Sequence, residues 1–104
     1  MALSITSNNI EEVLTNNKII VLQFSAPWCG PCRMLSPIID SLVNDNEDIV
    51  IGKVDVDSEV ELSQKYSVRG IPTILFIKNG EVVDKVVGVD TKSNLQLMID
   101  KIKF

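Results

Sequence analysis

The chain has no histidine, and its 104 residues contain only two cysteines, Cys29 and Cys32. Without an imidazole, the sequence excludes the Ser-His and Cys-His pairs that activate nucleophiles in many enzymes. A structural zinc site takes four ligands, mostly cysteine or histidine, and two thiols supply only half of them. The sequence therefore predicts no metal site within one chain, while a metal or cluster shared between two chains stays open.

Clusters of positive charge and long apolar runs are missing as well. Ten Lys and Arg residues stand against 14 Asp and Glu residues, which gives a formal net charge of −4. An acidic chain without a basic cluster is not expected to bind nucleic acid or an anionic membrane surface. The longest apolar runs, such as residues 19–22, are far shorter than the roughly 20 residues that span a bilayer. Residues 1–5 show no pattern of a secretory signal, so we expect a cytoplasmic protein.

The length predicts one domain over residues 1–104, with nine elements in the order β-α-β-α-β-α-β-β-α. Strands are predicted over residues 2–6, 18–25, 49–56, 73–78 and 82–87. Helices are predicted up to about residue 15, after the cysteine pair, after residue 58 and after residue 90. Their predicted caps are Ser7 or Asn8, Ser58, and Asp90 or Thr91.

The pattern predicts an α/β fold with a mixed sheet. Alternating strands and helices in the first half favour parallel pairing with right-handed crossovers. Asn79-Gly80 is a strong hairpin turn, so the last two strands should pair antiparallel. In residues 18–25 apolar side chains occur at both odd and even positions, as in a central strand that is covered on both faces. The sequence therefore predicts a central mixed sheet of five strands between four helices.

The two cysteines stand at a predicted junction of a strand and a helix. Unpaired N–H groups and the helix dipole at that position favour an anion, and thiol–disulfide exchange requires a thiolate. Pro31 supports the placement because proline is tolerated in the first turn of a helix. Cys32 lies one helical turn below Cys29, so the two sulfurs can bond. We expect Cys29 to be the exposed nucleophile and Cys32 the more buried resolving thiol; the alternative is a pair of inert apolar residues.

The sequence Trp28-Cys29-Gly30-Pro31-Cys32, after a strand that ends in residues 24–27, resembles the thioredoxin family. Further stretches resemble the family's sequence at the same separations along the chain: residues 53–57, 66–73, 78–81 and 87–88. The resemblance covers essentially the whole chain. It implies the thioredoxin fold and a thiol–disulfide oxidoreductase that reduces protein disulfides through a reversible Cys29–Cys32 couple.

The resemblance also implies a surface for protein substrates around the cysteines. The proline that matches Pro72 is cis in the family and faces the cysteine pair, whereas an Ile-Pro bond is cis only about once in twenty cases on general grounds. Trp28 would cover the cysteines, although it could instead be half-buried core. The implied substrate-binding residues, which we call the rim, are Trp28, Gly30, Pro31, Ile71, Pro72, Val87, Gly88 and Val89. Ordinary structural roles for these residues are the alternative.

Gln23 departs from the family pattern. Most thioredoxins have a buried aspartate at this position, which takes the proton of the second cysteine, and an amide cannot do so. The family's neighbouring lysine is retained as Lys53, which is expected to reach Asp55 or Asp57 or to extend into solvent. We therefore expect Gln23 and Lys53 to tune proton transfer, and Cys32 to lose its proton less readily than in an aspartate-bearing thioredoxin.

The resemblance implies two kinds of partner and no bound cofactor. The partners are proteins that contain disulfides and a thioredoxin reductase that restores the dithiol. We expect the chain to be a monomer. A redox-independent binding module with the same fold is the alternative function, and a variant without both cysteines that kept full biological function would favour it.

Overall fold

A computed structural model describes residues 2–104 of the chain. The strands are β1 (Leu3–Ser4), β2 (Ile19–Ser25), β3 (Val50–Asp55), β4 (Thr73–Lys78) and β5 (Glu81–Val87). The helices are α1 (Ile10–Asn16), α2 (Gly30–Asp45), α3 (Val60–Lys65) and α4 (Lys92–Lys103). The predicted order of elements is confirmed, and the strand ends lie within two residues of the predicted ones.

The five strands form one mixed sheet in the order β1-β3-β2-β4-β5. β1, β3 and β2 are parallel, whereas β4 is antiparallel to β2 and β5 is antiparallel to β4. Every residue of β2 is buried, as predicted for the central strand. Because β2 and β3 are parallel, their C-terminal ends lie side by side. The segment that contains the cysteines begins at the C-terminal end of β2.

The two faces of the sheet hold separate hydrophobic clusters, because successive side chains of a strand point to opposite faces. Leu22 and Phe24 of β2 pack in one cluster with residues of α1 and α3. Val21 packs in the other cluster with residues of α2 and α4, including Leu35 and Ile39. Gln23 has the same parity as Val21 and thus lies on the α2 side of the sheet.

The β4–β5 hairpin turns at Asn79 and Gly80, as the sequence predicts. Both residues have positive φ, 52° and 81°, as a tight hairpin turn requires. β5 is one of the two edge strands, and none of its residues is fully buried. Its last residues therefore remain accessible beside the start of β4.

The predicted cap of α1 is wrong. The helix begins after Asn9 rather than after Ser7 or Asn8. Asn9 Oδ1 accepts a hydrogen bond from the backbone N–H of Thr6 at 2.8 Å, so the side chain closes the preceding loop and does not cap the helix. A preference for asparagine at helix starts does not distinguish these two uses of the amide.

The predicted cap of α3 is also wrong, whereas that of α4 is confirmed for one of its two candidates. α3 begins after Glu59, and the Ser58 hydroxyl is directed at the Asp55 carboxylate in the loop instead. α4 begins after Thr91, whose hydroxyl accepts a hydrogen bond from the backbone N–H of Asn94 at 3.1 Å. None of the helices in residues 2–104 combines the length and the apolar content needed to cross a bilayer.

Candidate active site

Cys29 is the residue immediately before the first turn of α2. Its backbone is extended, with φ −86° and ψ 113°, and its sulfur accepts a hydrogen bond from the backbone N–H of Cys32 at 3.2 Å. Pro31 occupies the first turn, where its missing N–H breaks no helical hydrogen bond. The structure thus places Cys29 where the N–H groups of a helix start are free to stabilise a negative charge.

Cys29 and Cys32 are joined by a disulfide, with their Cα atoms 5.2 Å apart. Both residues are buried, since they are only 5% and 3% exposed. The expectation of an exposed Cys29 is therefore wrong for this oxidised form. Ala26, Val56 and Ile71 pack around the pair and cover it from the adjoining loops.

Trp28 lies on the surface beside the pair, 66% exposed. The alternative that it is half-buried core is therefore wrong. Its indole Nε1 donates a hydrogen bond to Asp57 Oδ2 at 2.7 Å. Asp57 in turn is held by its own backbone N–H, which donates to Asp55 Oδ1 at 2.9 Å. Asp57 thus holds the indole directly, and Asp55 at the end of β3 holds the backbone of Asp57.

Sequence reasoning missed Asp57 as a residue of the site. A signal was present, because β2 and β3 are parallel and their ends meet at one edge of the sheet. The backbone N–H of Val56 donates to the carbonyl of Ser25 at 3.0 Å, which continues that pairing beyond β3. An acidic residue directly after β3 must therefore lie near the segment that follows β2, where Trp28 stands.

The second side of the site is built by the start of β4 and the end of β5. The Ile71–Pro72 peptide bond is cis. The carbonyl of Pro72 accepts a hydrogen bond from the N–H of Gly88 at 2.8 Å, which holds the end of β5 against the start of β4. Gly88 has φ +96°, a conformation that residues with a side chain rarely adopt. Val87 and Val89 on either side of it are exposed.

The structure brings the predicted rim together from these two sides. Ile71 joins them, because it packs against the buried cluster that contains both cysteines. Gly30 has open space around the position of a missing Cβ, and Pro31 is exposed. Pro72 is buried, so the exposed part of this surface comes from Trp28, Pro31, Val87 and Val89.

Gln23 and Lys53 are neighbours in the paired strands β2 and β3. Gln23 is 1% exposed, whereas Lys53 extends to the surface, which is one of the alternatives predicted for it. Both residues line a cleft of about 110 Å³ between the sheet and α2. They lie on the same side of the sheet as the helix that contains Cys32.

Charged groups near the cysteines are few. Arg33 follows Cys32, and its Nη1 donates to the carbonyl of Pro27 at 3.4 Å. In residues 2–104 no three His, Cys, Asp or Glu side chains are arranged to hold a metal ion. The clear pKa shifts lie elsewhere: a hydrogen bond from Lys103 lowers the pKa of Asp48, and burial raises the pKa of Tyr66.

The chain is similar to thioredoxins over nearly its whole length. The sequence model of the thioredoxin family matches residues 1–101. A thioredoxin from Bacillus subtilis is 42% identical over 88 residues, which cover 84% of this chain and 85% of that protein. A thioredoxin from Chlorobaculum thiosulfatiphilum is 41% identical over 98 residues, which cover 92% of this chain and 91% of that protein.

Solved structures agree with the sequence comparisons. A mutant thioredoxin from Halobacterium salinarum superposes with a TM-score of 0.90 at 34% identity, and the match covers 96% of this chain and 88% of that one. Mitochondrial thioredoxin 3 from Saccharomyces cerevisiae gives a TM-score of 0.88 at 27% identity, with 96% and 94% covered. With its cysteine pair at the start of α2, the chain therefore belongs to the thioredoxin family and is a thiol–disulfide oxidoreductase of the protein-disulfide reductase type.

Proposed function

We propose that Cys29 is the attacking thiolate and Cys32 the resolving thiol in the reduction of protein disulfides. The observation that carries this assignment is the position of Cys29 as the cap of α2, with the N–H of Cys32 directed at its sulfur. A sulfur in this position is stabilised as an anion by the free N–H groups and by the helix dipole. Cys32 lies inside the first turn and forms the disulfide with Cys29.

Two exchange steps complete one reaction. The Cys29 thiolate attacks one sulfur of the substrate disulfide, which forms a mixed disulfide and releases the other substrate sulfur as a thiolate. Cys32 then loses its proton and attacks the Cys29 sulfur. The Cys29–Cys32 disulfide forms, the second substrate sulfur leaves as a thiolate, and both thiolates take protons from solvent. Two electrons have passed from the chain to the substrate.

The rim binds the substrate through its backbone and through apolar contacts. Proline has no N–H, and the turn before Pro72 leaves the backbone of Ile71 available to an extended segment of substrate, which can pair with it as an added strand. Trp28, next to Cys29 in the sequence, is held by its hydrogen bond to Asp57. Contacts of this kind depend on few side chains of the substrate, so the chain can bind many different proteins that contain disulfides.

A thioredoxin reductase is the partner that returns the disulfide to the dithiol. No cofactor is needed on this chain, because the two thiols supply both electrons. We propose that the chain acts as a monomer in the cytoplasm, where a reducing environment keeps thiols available. The support for that compartment is the cysteine content, since the chain has no cysteine beyond the reactive pair.

Insulin reduction driven by dithiothreitol tests the assignment. The wild-type chain should accelerate precipitation of the reduced insulin chains, and Cys29→Ser should abolish the acceleration. Cys32→Ser should instead accumulate a mixed disulfide with a protein substrate, because the attack occurs and the resolution does not. Equal acceleration by the wild type and Cys29→Ser would contradict the proposal. No observation favours the redox-independent binding module.

A further inference from the structure

One face of the edge strand β5 is left open by the helices that pack on the sheet. Residues opposite one another on paired strands share a face, so Lys85 and Val87 lie on the same side as their partners Leu75 and Thr73. Leu75 packs in the cluster with residues of α1 and α3. α3 has only six residues, and Lys85 and Val87 remain exposed on its side of the sheet. α3 therefore leaves this face of β5 accessible.

A groove runs along this face between β5 and the segment that follows α3. It consists of two adjoining hollows of about 420 Å³ and about 380 Å³, which share Tyr66, Ser67 and Lys85. The second hollow extends to Gly70 and Val87. We call the two hollows together the β5 groove.

The β5 groove ends at the rim that surrounds the cysteines. Val87 is itself a rim residue, and Gly70 directly precedes Ile71 of the rim. The position of a Cβ at Gly70 lies 3.9 Å from Val87 Cγ1, so the two walls of the groove are in contact distance there. A substrate segment that pairs with the backbone of Ile71 can therefore continue into the groove.

Three cations line the β5 groove, and two of them have no ion pair within the chain. Lys65 Nζ lies 3.7 Å from Glu11 Oε1. None of the ion pairs formed within residues 2–104 includes Arg69 or Lys85. The chain as a whole has a formal net charge of −4, so the groove is a local positive region on an acidic protein.

Asp84 does not neutralise the two unpaired cations, although it also lines the groove. It is opposite Phe76, which packs in the cluster on the α2 side of the sheet, whereas Lys85 belongs to the α3 side. Asp84 Oδ1 accepts a hydrogen bond from the backbone N–H of Lys85 at 2.8 Å. Arg69 and Lys85 are therefore available to carboxylates of a bound segment.

We propose that the β5 groove binds an acidic segment of the protein substrate, whose carboxylates pair with Arg69 and Lys85. The inference rests on the proposed reduction of protein disulfides and names the class of substrate that the chain reduces fastest. Such a substrate has Asp or Glu in an extended segment, a few residues from its reactive disulfide. Exposed ion pairs each contribute little free energy, so the groove sets a preference among substrates and does not exclude the others.

Two disulfide-cyclised peptides test this preference. They contain the same two cysteines, and the residues that flank the cysteines are Asp and Glu in one peptide and Asn and Gln in the other. Oxidation of the reduced chain by each peptide in a single turnover is followed by acid quenching, alkylation and mass spectrometry. The rate of each peptide with dithiothreitol corrects for intrinsic differences between the two disulfides. At low ionic strength we expect the acidic peptide to react roughly fivefold faster, and the ratio to approach one as salt screens the charges.

Charge variants show whether the β5 groove causes the preference. Arg69→Gln and Lys85→Gln should each lower the ratio of the two rates, and the double variant should bring it close to one. Lys101→Gln is the matched control, because it removes the same charge from an exposed position on α4 outside the groove. Lys85→Glu should favour a third peptide with lysines at the flanking positions, a reversal that a loss of stability would not produce.

The outcomes distinguish the inference from the proposed function. Equal corrected rates of the acidic and the amide peptide in the wild type would overturn the inference and leave the proposed function intact. A ratio that Arg69→Gln and Lys85→Gln lower no more than Lys101→Gln does would overturn it as well. If none of the peptides oxidises the reduced wild-type chain, the proposed function and the inference both fail.

Discussion

The backbone N–H of Cys32 donates to the sulfur of Cys29 at 3.2 Å, so the first thiol of the pair caps the helix that contains the second. One turn of helix therefore supplies both partners of the exchange reaction. The same turn gives them different surroundings, since Cys29 stands before the free N–H groups and Cys32 within the turn. The chain has no histidine that could activate either thiol. The difference between the two thiols therefore comes from their positions at the helix start.

Gly88→Ala should destabilise the fold. Gly88 has φ +96°, and a Cβ in the left-handed region costs about 1–2 kcal/mol. The loss should appear as a lower free energy of unfolding in urea, with an unchanged slope. Gly30→Ala is the matched control, because an added Cβ there meets nothing within 4 Å in a helical turn. Equal stability of the two variants would show that the backbone at Gly88 is not constrained.

Asp57→Ala should free the indole of Trp28. The hydrogen bond from Nε1 to Asp57 Oδ2 joins an exposed pair, and its loss should cost about 1 kcal/mol or less. The steady-state fluorescence anisotropy of the only tryptophan should fall, and the KM for a protein substrate should rise. Asp57→Asn keeps an acceptor oxygen and should remain close to the wild type. Unchanged anisotropy in Asp57→Ala would mean that packing alone holds the indole.

Gln23→Asp should make stability depend on pH. The side chain at this position is buried, so a carboxyl there has its pKa raised by desolvation. A raised folded-state pKa favours the protonated form, so the variant is most stable below the unfolded value of about 3.9 and loses stability as the pH rises through the folded-state pKa. Urea unfolding of the variant and the wild type at a series of pH values measures the difference.

The same variant should resolve mixed disulfides faster above neutral pH, because an ionised carboxylate can take the proton of Cys32. Gln23→Asn shortens the side chain without adding a charge and is its control. If the resolution rates of Gln23→Asp and the wild type have identical pH profiles, position 23 has no part in proton transfer.

Lys103→Met should raise the pKa of Asp48 toward its ordinary value. The Lys103 ammonium lies 3.0 Å from Asp48 Oδ2, and this hydrogen bond is the main cause of the lowered pKa. A lowered folded-state pKa stabilises the fold above the unfolded value, and that contribution disappears as the pH falls through the folded-state pKa. Carbon NMR titration of the Asp48 carboxyl measures the change. Lys101→Met, on the same helical turn, should leave the Asp48 titration as it is in the wild type.

The sequence predicts strands and helices well where the pattern of apolar residues shows which faces are buried. Residues 18–25 are apolar on both parities, and the strand they form is covered on both faces. Asn79 and Gly80 form the turn because few other residues adopt positive φ in succession. Caps are harder to predict, since the Asn9 amide and the Ser58 hydroxyl have partners in the loops that compete with the helix start.

The site was predictable where it is local in the sequence. The Cys29–Cys32 spacing and Pro31 together place the pair at a helix start. The bond between Trp28 and Asp57 joins residues 29 positions apart, and only the parallel register of β2 and β3 brings them together. The burial of Cys29 was not predictable either, because Ile71 packs against its cluster from a loop that is distant in the sequence.

The measurement that bears most directly on these conclusions is the alkylation of the reduced chain by iodoacetamide near neutral pH, followed by mass spectrometry of each cysteine. Stabilisation at the helix start predicts that Cys29 reacts well before Cys32 and faster than a cysteine in an unstructured peptide. A Cys29 that reacts no faster than the peptide, or no faster than Cys32, would contradict its role as the attacking thiolate.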